Sequence, residues 1–210
     1  MPSRVKTRDY DSSRRRAAAA ARRDRVLEAA SKLMLRDGYA ATTVATIASE
    51  AGVSSETVYK AFGGKRGLVR ALFDDALAGA GSVPAETRSD ALRTTDPVTL
   101  VQGWARLATE VAPRGTPIVL LVREAAAADA QMRQEYDAME AMRLRRMQEN
   151  ARALAALGGV REGITVREAG DVLFAVSSPE MYELLVMRRG WSLERYSAYV
   201  RDTITHALLP

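Results

Sequence analysis

The chain has 210 residues, no cysteine and a single histidine, His206, four residues from its C-terminus. The absence of cysteine excludes a disulfide framework and thiolate chemistry, and it agrees with a reducing cytoplasm. One terminal histidine argues against a catalytic triad or a histidine-based metal site. The adjacent acids Asp74 and Asp75 point about 100° apart on a helix and converge poorly on a metal. We therefore expect no catalytic residues, no metal and no cofactor, and the chain is not expected to be an enzyme.

The formal net charge of +5 is concentrated at one end of the chain. Residues 1–77 hold 15 Lys and Arg residues against 9 Asp and Glu residues, whereas residues 78–210 hold 16 against 17. This asymmetry predicts a polyanionic partner for the N-terminal third of the chain. No apolar run approaches the roughly 20 residues needed to span a bilayer, so we expect no membrane partner.

The N-terminal segment, residues 1–20, contains few large apolar side chains and no lasting periodicity. This composition predicts a disordered basic arm. Such an arm is either a solvated tail or a segment that follows DNA phosphates or enters a minor groove. The first helix is predicted from about Ala21 to Arg36 because its apolar residues recur at helical spacing, and Gly38 is predicted to end it.

Two short helices follow, joined by a turn at Gly52. The first is predicted to begin near Thr43 and the second after Ser54, because both hydroxyls can cap free backbone N–H groups. Their apolar positions predict a buried face made of Val44, Ile47, Ala48, Ala51, Val58 and Phe62. The side chains then left outside on the second helix are those of Ser55, Glu56, Thr57, Tyr59 and Lys60. A fourth helix is predicted to open at Lys65.

The remainder of the chain is predicted to be helical after a short linker. Residues 79–96 lack a clear pattern and are predicted to form a linker or loop. Helical patterns then predict segments at 97–111, 117–128, 129–157, 165–177, 178–189 and 192–208. No stretch combines β-branched residues with strict alternation. The predicted fold class is therefore all-α, with a helix-turn-helix domain over residues 21–78 and a C-terminal helical bundle over residues 97–210.

Two helices of about eight residues around a glycine-containing turn fit the helix-turn-helix plan. Buried helical hairpins share that apolar spacing, so the combination of residues around it is more informative. One 28-residue window holds Gly38-Tyr39, Thr42-Thr43-Val44, Ile47-Ala48, Ala51-Gly52-Val53-Ser54, Val58-Tyr59, Phe62 and Lys65. This combination resembles the N-terminal domain of the TetR family of bacterial regulators over about residues 22–77. Residues 178–200 also resemble, far less specifically, an end segment found in many members.

The resemblance implies roles for the matching positions. Thr43 and Tyr59 would hydrogen-bond DNA phosphates, and Lys65 would add an ammonium at a helix N-terminus, where anions are favoured. Such contacts fix the register on the duplex without reading its sequence. Base reading would fall to Ser55, Glu56, Thr57 and Lys60. A surface ion pair between Glu56 and Lys60 is the alternative use of those two side chains.

The resemblance also implies that the C-terminal bundle forms a homodimer and encloses a pocket for a small effector. Dimerisation has physical support, because two recognition helices must reach major-groove faces roughly 34 Å apart. The apolar residues of the last helices would form either that interface or the monomer core. A stripe of methionines and aromatics on the long helix predicts pocket residues Tyr136 and Met139, and Trp104 would help to complete the cavity. Ordinary core packing produces the same stripe. The effector is expected to be apolar or aromatic, since no cluster of fixed charges is evident.

The leading hypothesis is a cytoplasmic, nucleoid-associated bacterial repressor that binds a palindromic double-stranded DNA operator. A small effector would shift the dimer to a state that no longer matches the groove spacing. The alternative keeps the fold without the ligand, as a DNA-bound architectural or cell-division regulator with a protein partner. That alternative predicts a helical domain without a cavity.

Overall fold

The computed structural model describes residues 8–79, 83–94 and 96–210, and every regular element in these ranges is helical. The α-helices are α1 (Arg8–Asp37), α2 (Val44–Ala51), α3 (Ser55–Phe62), α4 (Lys65–Ala78), α5 (Ala85–Ala91), α6 (Pro97–Ala125), α7 (Ala130–Ala156), α8 (Val166–Val176), α9 (Pro179–Tyr182) and α10 (Leu193–Leu208). A 3₁₀ turn, Leu92–Thr94, follows α5, and a π-helical stretch, Glu183–Arg188, follows α9. The predicted all-α fold class is confirmed.

The chain divides into two compact units, Met1–Leu72 and Phe73–Pro210. The core of the N-terminal unit is formed by the apolar stripes expected from helical spacing, with Met34, Ile47, Val58 and Leu68 fully buried. The predicted boundary after residue 78 falls later than the observed one because α4 continues from the first unit into the second.

The prediction of a disordered arm over residues 1–20 is wrong for residues 8–20, which form the first turns of α1; residues 1–7 lie outside the described residues. Residues 13–25 are exposed, so tertiary burial does not hold this part of the helix. Alanine and arginine are among the best helix formers, and extending an existing helix costs much less than nucleating one. The prediction failed because a scarcity of large apolar residues indicates that a segment is not buried, and an exposed segment can still be helical.

The short helices of the N-terminal unit begin and end where their capping residues predict. The Thr43 hydroxyl accepts a hydrogen bond from the Thr46 backbone N–H at 3.1 Å, and the Thr46 hydroxyl accepts one from the Thr43 N–H at 3.1 Å. Gly52 ends α2 with a left-handed backbone, at φ 65°. The Ser54 hydroxyl caps α3. These reciprocal caps satisfy backbone N–H groups that a helix start leaves without partners.

The predicted break between residues 111 and 117 is wrong, because α6 is a single helix that contains Pro113 and Pro117. A proline inside a helix removes one backbone donor and costs about 3 kcal/mol. Packing offsets this cost, because α6 is buried both before the prolines, at Leu100, and after them, at Val122. The sequence shows the local cost of a proline but not the tertiary packing that opposes it.

The predicted linker over residues 79–96 is also partly wrong, since it contains α5 and the 3₁₀ turn. Tertiary contacts hold this segment on α6. Arg88 forms an ion pair with Glu110. The indole N–H of Trp104 donates to the Ser89 hydroxyl at 3.1 Å in a buried environment. These contacts supply order that the local pattern does not show.

The last helices follow the predicted order, with α7, α8 and α10 capped by Asp129, Thr165 and Ser192. The π-helical stretch after α9 was not predicted. In it the Glu183 carboxylate accepts a hydrogen bond from Arg188, five residues later, at 2.6 Å. Residues five apart stack in a π-helix, which suits this pair.

None of the helices in the described ranges is both long and apolar enough to cross a membrane.

Candidate nucleic-acid interface and C-terminal cavity

The outer face of α3 is polar, and the opposite face is buried. Val58 is completely buried, whereas Tyr59 keeps 56% of its surface exposed. Of the four side chains predicted to read bases, Glu56 and Lys60 are exposed, and Ser55 and Thr57 are half-buried. The structure therefore brings all the predicted α3 positions onto one helix outside the core.

Thr43 lies at the N-terminus of α2, where it is exposed and already serves as the helix cap. A hydroxyl carries one donor and two lone pairs, and the bond from the Thr46 N–H uses one lone pair. The helix dipole at this end favours a negative charge. Thr43 can therefore cap α2 and still donate to a phosphate.

The Tyr59 ring lies against the glycine turn that follows α3. A Cβ atom on Gly64 would lie 3.3 Å from Tyr59 Cε1, and Gly64 has φ +116°, which side chains rarely adopt. Glycine at this position thus gives the turn its conformation and leaves room for the ring. The aromatic ring is supported by backbone while much of its surface faces solvent.

Lys65 is the first residue of α4, as predicted, but its ammonium makes contacts within the unit. It donates to the backbone carbonyls of Tyr39 at 2.6 Å and Thr42 at 3.0 Å. It also lies 4.0 Å from the centroid of the Tyr39 ring, within range of a cation–π interaction. Lys65 therefore ties the loop between α1 and α2 to the start of α4. The predicted phosphate contact of Lys65 stays a prediction.

The start of α4 packs closely on the end of α3 through Gly67. A Cβ atom at this position would collide with the Phe62 carbonyl and lie 2.8 Å from its carbonyl carbon. Only glycine permits this approach of the two backbones. The role of Gly67 could not be predicted, because a glycine inside a helical pattern gives no sign of which backbone lies beside it.

A basic side chain of α1 reaches the same region. The Arg23 guanidinium lies 5.7 Å from the centroid of the Phe62 ring at the end of α3. Farther along α1, Lys32 pairs with Glu50 of α2 at 2.6 Å, and this ammonium lowers the pKa of the Glu50 carboxyl. The charge distribution of the sequence places the excess basic charge in the N-terminal third of the chain but does not show that Arg23 lies beside α3.

A cavity of about 290 Å³ lies within the C-terminal unit. Trp104 and Met139 line this cavity, as the sequence predicted for its pocket, but Tyr136 is not among the lining residues. Tyr136 lies one turn before Met139, which is the first residue of α7 in the lining. Burial raises the pKa of the Tyr136 hydroxyl, and the Glu140 charge raises it further.

The expectation that the pocket lacks fixed charges is wrong, because Glu140, Arg143 and Arg146 line the cavity. The Arg143 guanidinium donates to both carboxylate oxygens of Glu140, at 3.2 and 3.0 Å. Arg146 forms an ion pair with Asp90 at 2.7 Å. Three or more metal-binding side chains do not come together anywhere in the described part of the chain.

The helices and the exposed face of α3 define an all-helical protein with a helix-turn-helix in its N-terminal unit. Residues 26–72 match the model of the family described as bacterial regulatory proteins, tetR family. The N-terminal unit therefore carries a TetR-family helix-turn-helix DNA-binding domain.

One curated relative is similar over this domain. The uncharacterized HTH-type transcriptional regulator YvkB of Bacillus subtilis (strain 168) is 41% identical over 66 residues. The matched segment is 31% of this chain and 35% of that protein, so the similarity spans about a third of the relative's length.

Solved structures share the fold over nearly the whole chain. The SmeT–triclosan complex aligns with a TM-score of 0.71 and 22% identity, over 90% of this chain and 92% of that one. NalD, the secondary repressor of the MexAB-OprM multidrug efflux pump in Pseudomonas aeruginosa, aligns with a TM-score of 0.68 and 17% identity, over 92% and 98%. The fatty acid degradation regulator FadR from Bacillus halodurans aligns with a TM-score of 0.71 and 18% identity, over 88% and 94%. Because these identities are low, the alignments show a common fold.

Proposed function

We propose that this protein is a transcriptional repressor that binds a palindromic DNA operator as a homodimer and leaves it when a small effector fills the C-terminal cavity. The observation that carries the DNA-binding part is Tyr59, a large aromatic side chain that stays 56% exposed on a short, well-capped helix. Burying an aromatic ring is favourable, so its exposure beside Lys60 and Glu56 indicates a surface that a partner covers.

Two groups of residues divide the work at this surface. Thr43 and Tyr59 donate hydroxyl hydrogen bonds to phosphates and so fix the register of the duplex. Lys60 and Glu56 reach base edges, where lysine donates to guanine and glutamate accepts from cytosine, each good pairing being worth about 1–3 kcal/mol of discrimination. Arg23 adds positive charge next to α3 and strengthens binding to any sequence.

Dimerisation follows from the size of a DNA half-site, since one recognition helix reaches only one major-groove face. Among the apolar residues of the last helices, Tyr196 and Ile204 are buried in the monomer core. Leu184 and Met187, in the π-helical stretch, keep 49% and 53% of their surface exposed. These two side chains support a dimer contact that includes this stretch.

The cavity supports effector control and weighs against the alternative of a ligand-independent architectural regulator, which predicts no cavity. The SmeT–triclosan complex is an example of this fold with a bound small molecule. Helix α4 begins at Lys65 and continues to Phe73 and Leu77, which line the cavity. A ligand that shifts this helix would change the placement of α3 relative to its partner in the dimer.

The test begins with selection of bound fragments from random DNA by the purified protein. Fluorescence anisotropy then measures binding of the selected operator and of scrambled DNA. Tyr59→Phe removes one hydroxyl and should weaken binding to both DNAs by about 3- to 10-fold. Lys60→Ala should instead change the base preference in a repeated selection. Tyr199→Phe, in the C-terminal unit, is the matched control.

Two results would contradict the proposal. Random DNA that yields no enriched sequence would remove sequence-specific recognition. Unchanged binding in both the Tyr59 and Lys60 variants would show that α3 is not the recognition helix.

A further inference from the structure

Two polar atoms on the cavity wall are buried without hydrogen-bond partners among the described residues. They are Asn150 Oδ1 and the Tyr196 hydroxyl oxygen. Asn150 is 5% exposed and Tyr196 is completely buried, and both side chains line the cavity. Buried polar atoms in folded proteins nearly always have a partner, and an unpaired one costs about 1–3 kcal/mol. Because both residues line the cavity, a bound molecule toward which these side chains turn would complete their hydrogen bonds.

The charged groups of the wall are already neutralised by one another. Arg143 is held by Glu140 and donates to the Phe174 carbonyl at 2.6 Å, and its guanidinium lies 3.4 Å from the centroid of the Phe174 ring. Arg146 is paired with Glu86, which also lines the cavity, and with Asp90, which does not. A charged ligand would have to break one of these pairs or be buried without a counter-charge, and both are costly. The open positions are therefore neutral ones.

Other polar groups of the wall are satisfied within the protein. Trp104 donates to Ser89, and the Ser177 hydroxyl donates to the Leu173 carbonyl at 2.7 Å. Burial raises the pKa of the Tyr196 hydroxyl, so this group keeps its proton and can donate. The remaining lining is largely apolar, with side chains such as Val119 and Met139.

We propose that the cavity binds an uncharged, mostly apolar molecule of one or two rings that carries a hydroxyl group, and that this hydroxyl pairs with Asn150 Oδ1, Tyr196 Oη or both. A hydroxyl suits these positions because it donates and accepts at once. The volume of about 290 Å³ lies just below the range for ligand pockets, roughly 300–1,000 Å³, and suits a small molecule. This assignment rests on the proposed effector role of the cavity and gives the class of effector.

Three probes of matched shape test the assignment by isothermal titration calorimetry on the full chain without DNA. They are 2-naphthol, which has the hydroxyl; naphthalene, which lacks it; and 2-naphthoate, which replaces it with a charge. We expect 2-naphthol to bind about 3- to 10-fold more tightly than naphthalene, the effect of one hydrogen bond. The carboxylate should bind at least about 10-fold more weakly than 2-naphthol, because it is buried without a counter-charge.

Two variants locate the hydrogen bond. Tyr196→Phe and Asn150→Leu each remove the polar atom and keep similar volume, whereas Tyr199→Phe alters a neighbouring ring that does not line the cavity. At least one of the first two should abolish the preference for 2-naphthol over naphthalene, and the control should keep it. Ligand-free Tyr196→Phe should also unfold at the same temperature or a higher one, because an unpaired buried hydroxyl is removed.

The results separate this inference from the proposed function. Equal binding of 2-naphthol and naphthalene, or a preference that survives both variants, would overturn the hydroxyl assignment. The absence of probe binding in a sample that still binds selected operator would overturn it and leave DNA recognition standing. The expected probe pattern in a protein that binds no DNA would support the cavity chemistry while the repressor proposal failed.

Discussion

Lys65→Met decides whether this lysine serves DNA, the fold or both. The change keeps the length of the side chain and removes the ammonium that donates to the Tyr39 and Thr42 carbonyls at 2.6 and 3.0 Å. Hydrogen bonds to charged groups are worth about 1.5–3 kcal/mol each. Lys65 is half-buried, so water replaces part of this loss. We therefore expect the free energy of unfolding of the N-terminal unit to fall by about 2–4 kcal/mol.

Urea unfolding followed by circular dichroism measures the loss, and hydrogen exchange across residues 39–46 shows whether it is centred on the loop before α2. Lys60→Met is the matched control, because Lys60 is exposed on α3 and its replacement should change stability by no more than about 0.5 kcal/mol. A variant at Lys65 that unfolds at the wild-type urea concentration would refute the positioning role. Suppose that Lys65→Met keeps wild-type stability while the slope of log affinity against log salt concentration for DNA binding falls by about 1. Lys65 would then act only as a phosphate ligand.

Two further predictions concern the close approach at α4 and the π-helical stretch. Gly67→Ala should destabilise the N-terminal unit in thermal unfolding and weaken DNA binding, because its Cβ would collide with backbone. Gly115→Ala should be tolerated, because its Cβ would make only ordinary contacts with the side chains of Ala76 and Val111, at 3.9 and 4.0 Å. Arg188 holds the pKa of the Glu183 carboxyl below its usual value. The ionised carboxyl therefore stabilises the fold at pH values above its unfolded pKa of about 4.3. This stabilisation is lost as the pH falls through the lowered pKa of the folded state. Glu183→Gln should therefore lose less stability than wild type between neutral and acidic pH, and equal losses would contradict this assignment.

The N-terminal unit could be predicted in detail because its signals are local. Caps at Thr43 and Ser54, a stop at Gly52 and apolar spacing define α2 and α3 without knowledge of the rest of the chain. The use of Lys65 and the need for Gly67 could not be predicted, because both depend on backbone that lies 23 or more residues away or across a helix junction.

The errors in the prediction arise where the local apolar pattern disagrees either with helix propensity or with tertiary packing. Residues 8–20 lack large aliphatic side chains and yet extend α1 through helix propensity. Pro113 should end a helix, but α6 continues through it because both ends are packed. Weak or unfavourable local signals thus do not determine the outcome when propensity or packing acts in the other direction.

The cavity shows the same limit at the level of single side chains. Helical spacing predicts an inward face for Met139, and Met139 and Trp104 are buried in the cavity lining. The same spacing continues along α7 and does not show which of its residues reach the cavity. Tyr136 lies one turn before Met139 on the same face of α7, yet it is not part of the lining. The neighbouring helices determine which residues of α7 line the cavity, and the sequence of α7 alone does not show this.

An apolar effector is still expected, although the expected absence of fixed charges in the pocket was wrong. Charged residues do line the cavity, but Arg143 and Arg146 are paired, so they constrain a ligand less than the neutral atoms of Asn150 and Tyr196 do. The cost of burying those two atoms is already contained in the stability of the empty protein. A ligand that completes their hydrogen bonds recovers this cost on binding, and it stabilises the occupied state by an amount that grows with ligand concentration. A matched hydroxyl compound should therefore raise the unfolding temperature of the C-terminal unit more than its hydrocarbon parent at equal concentration.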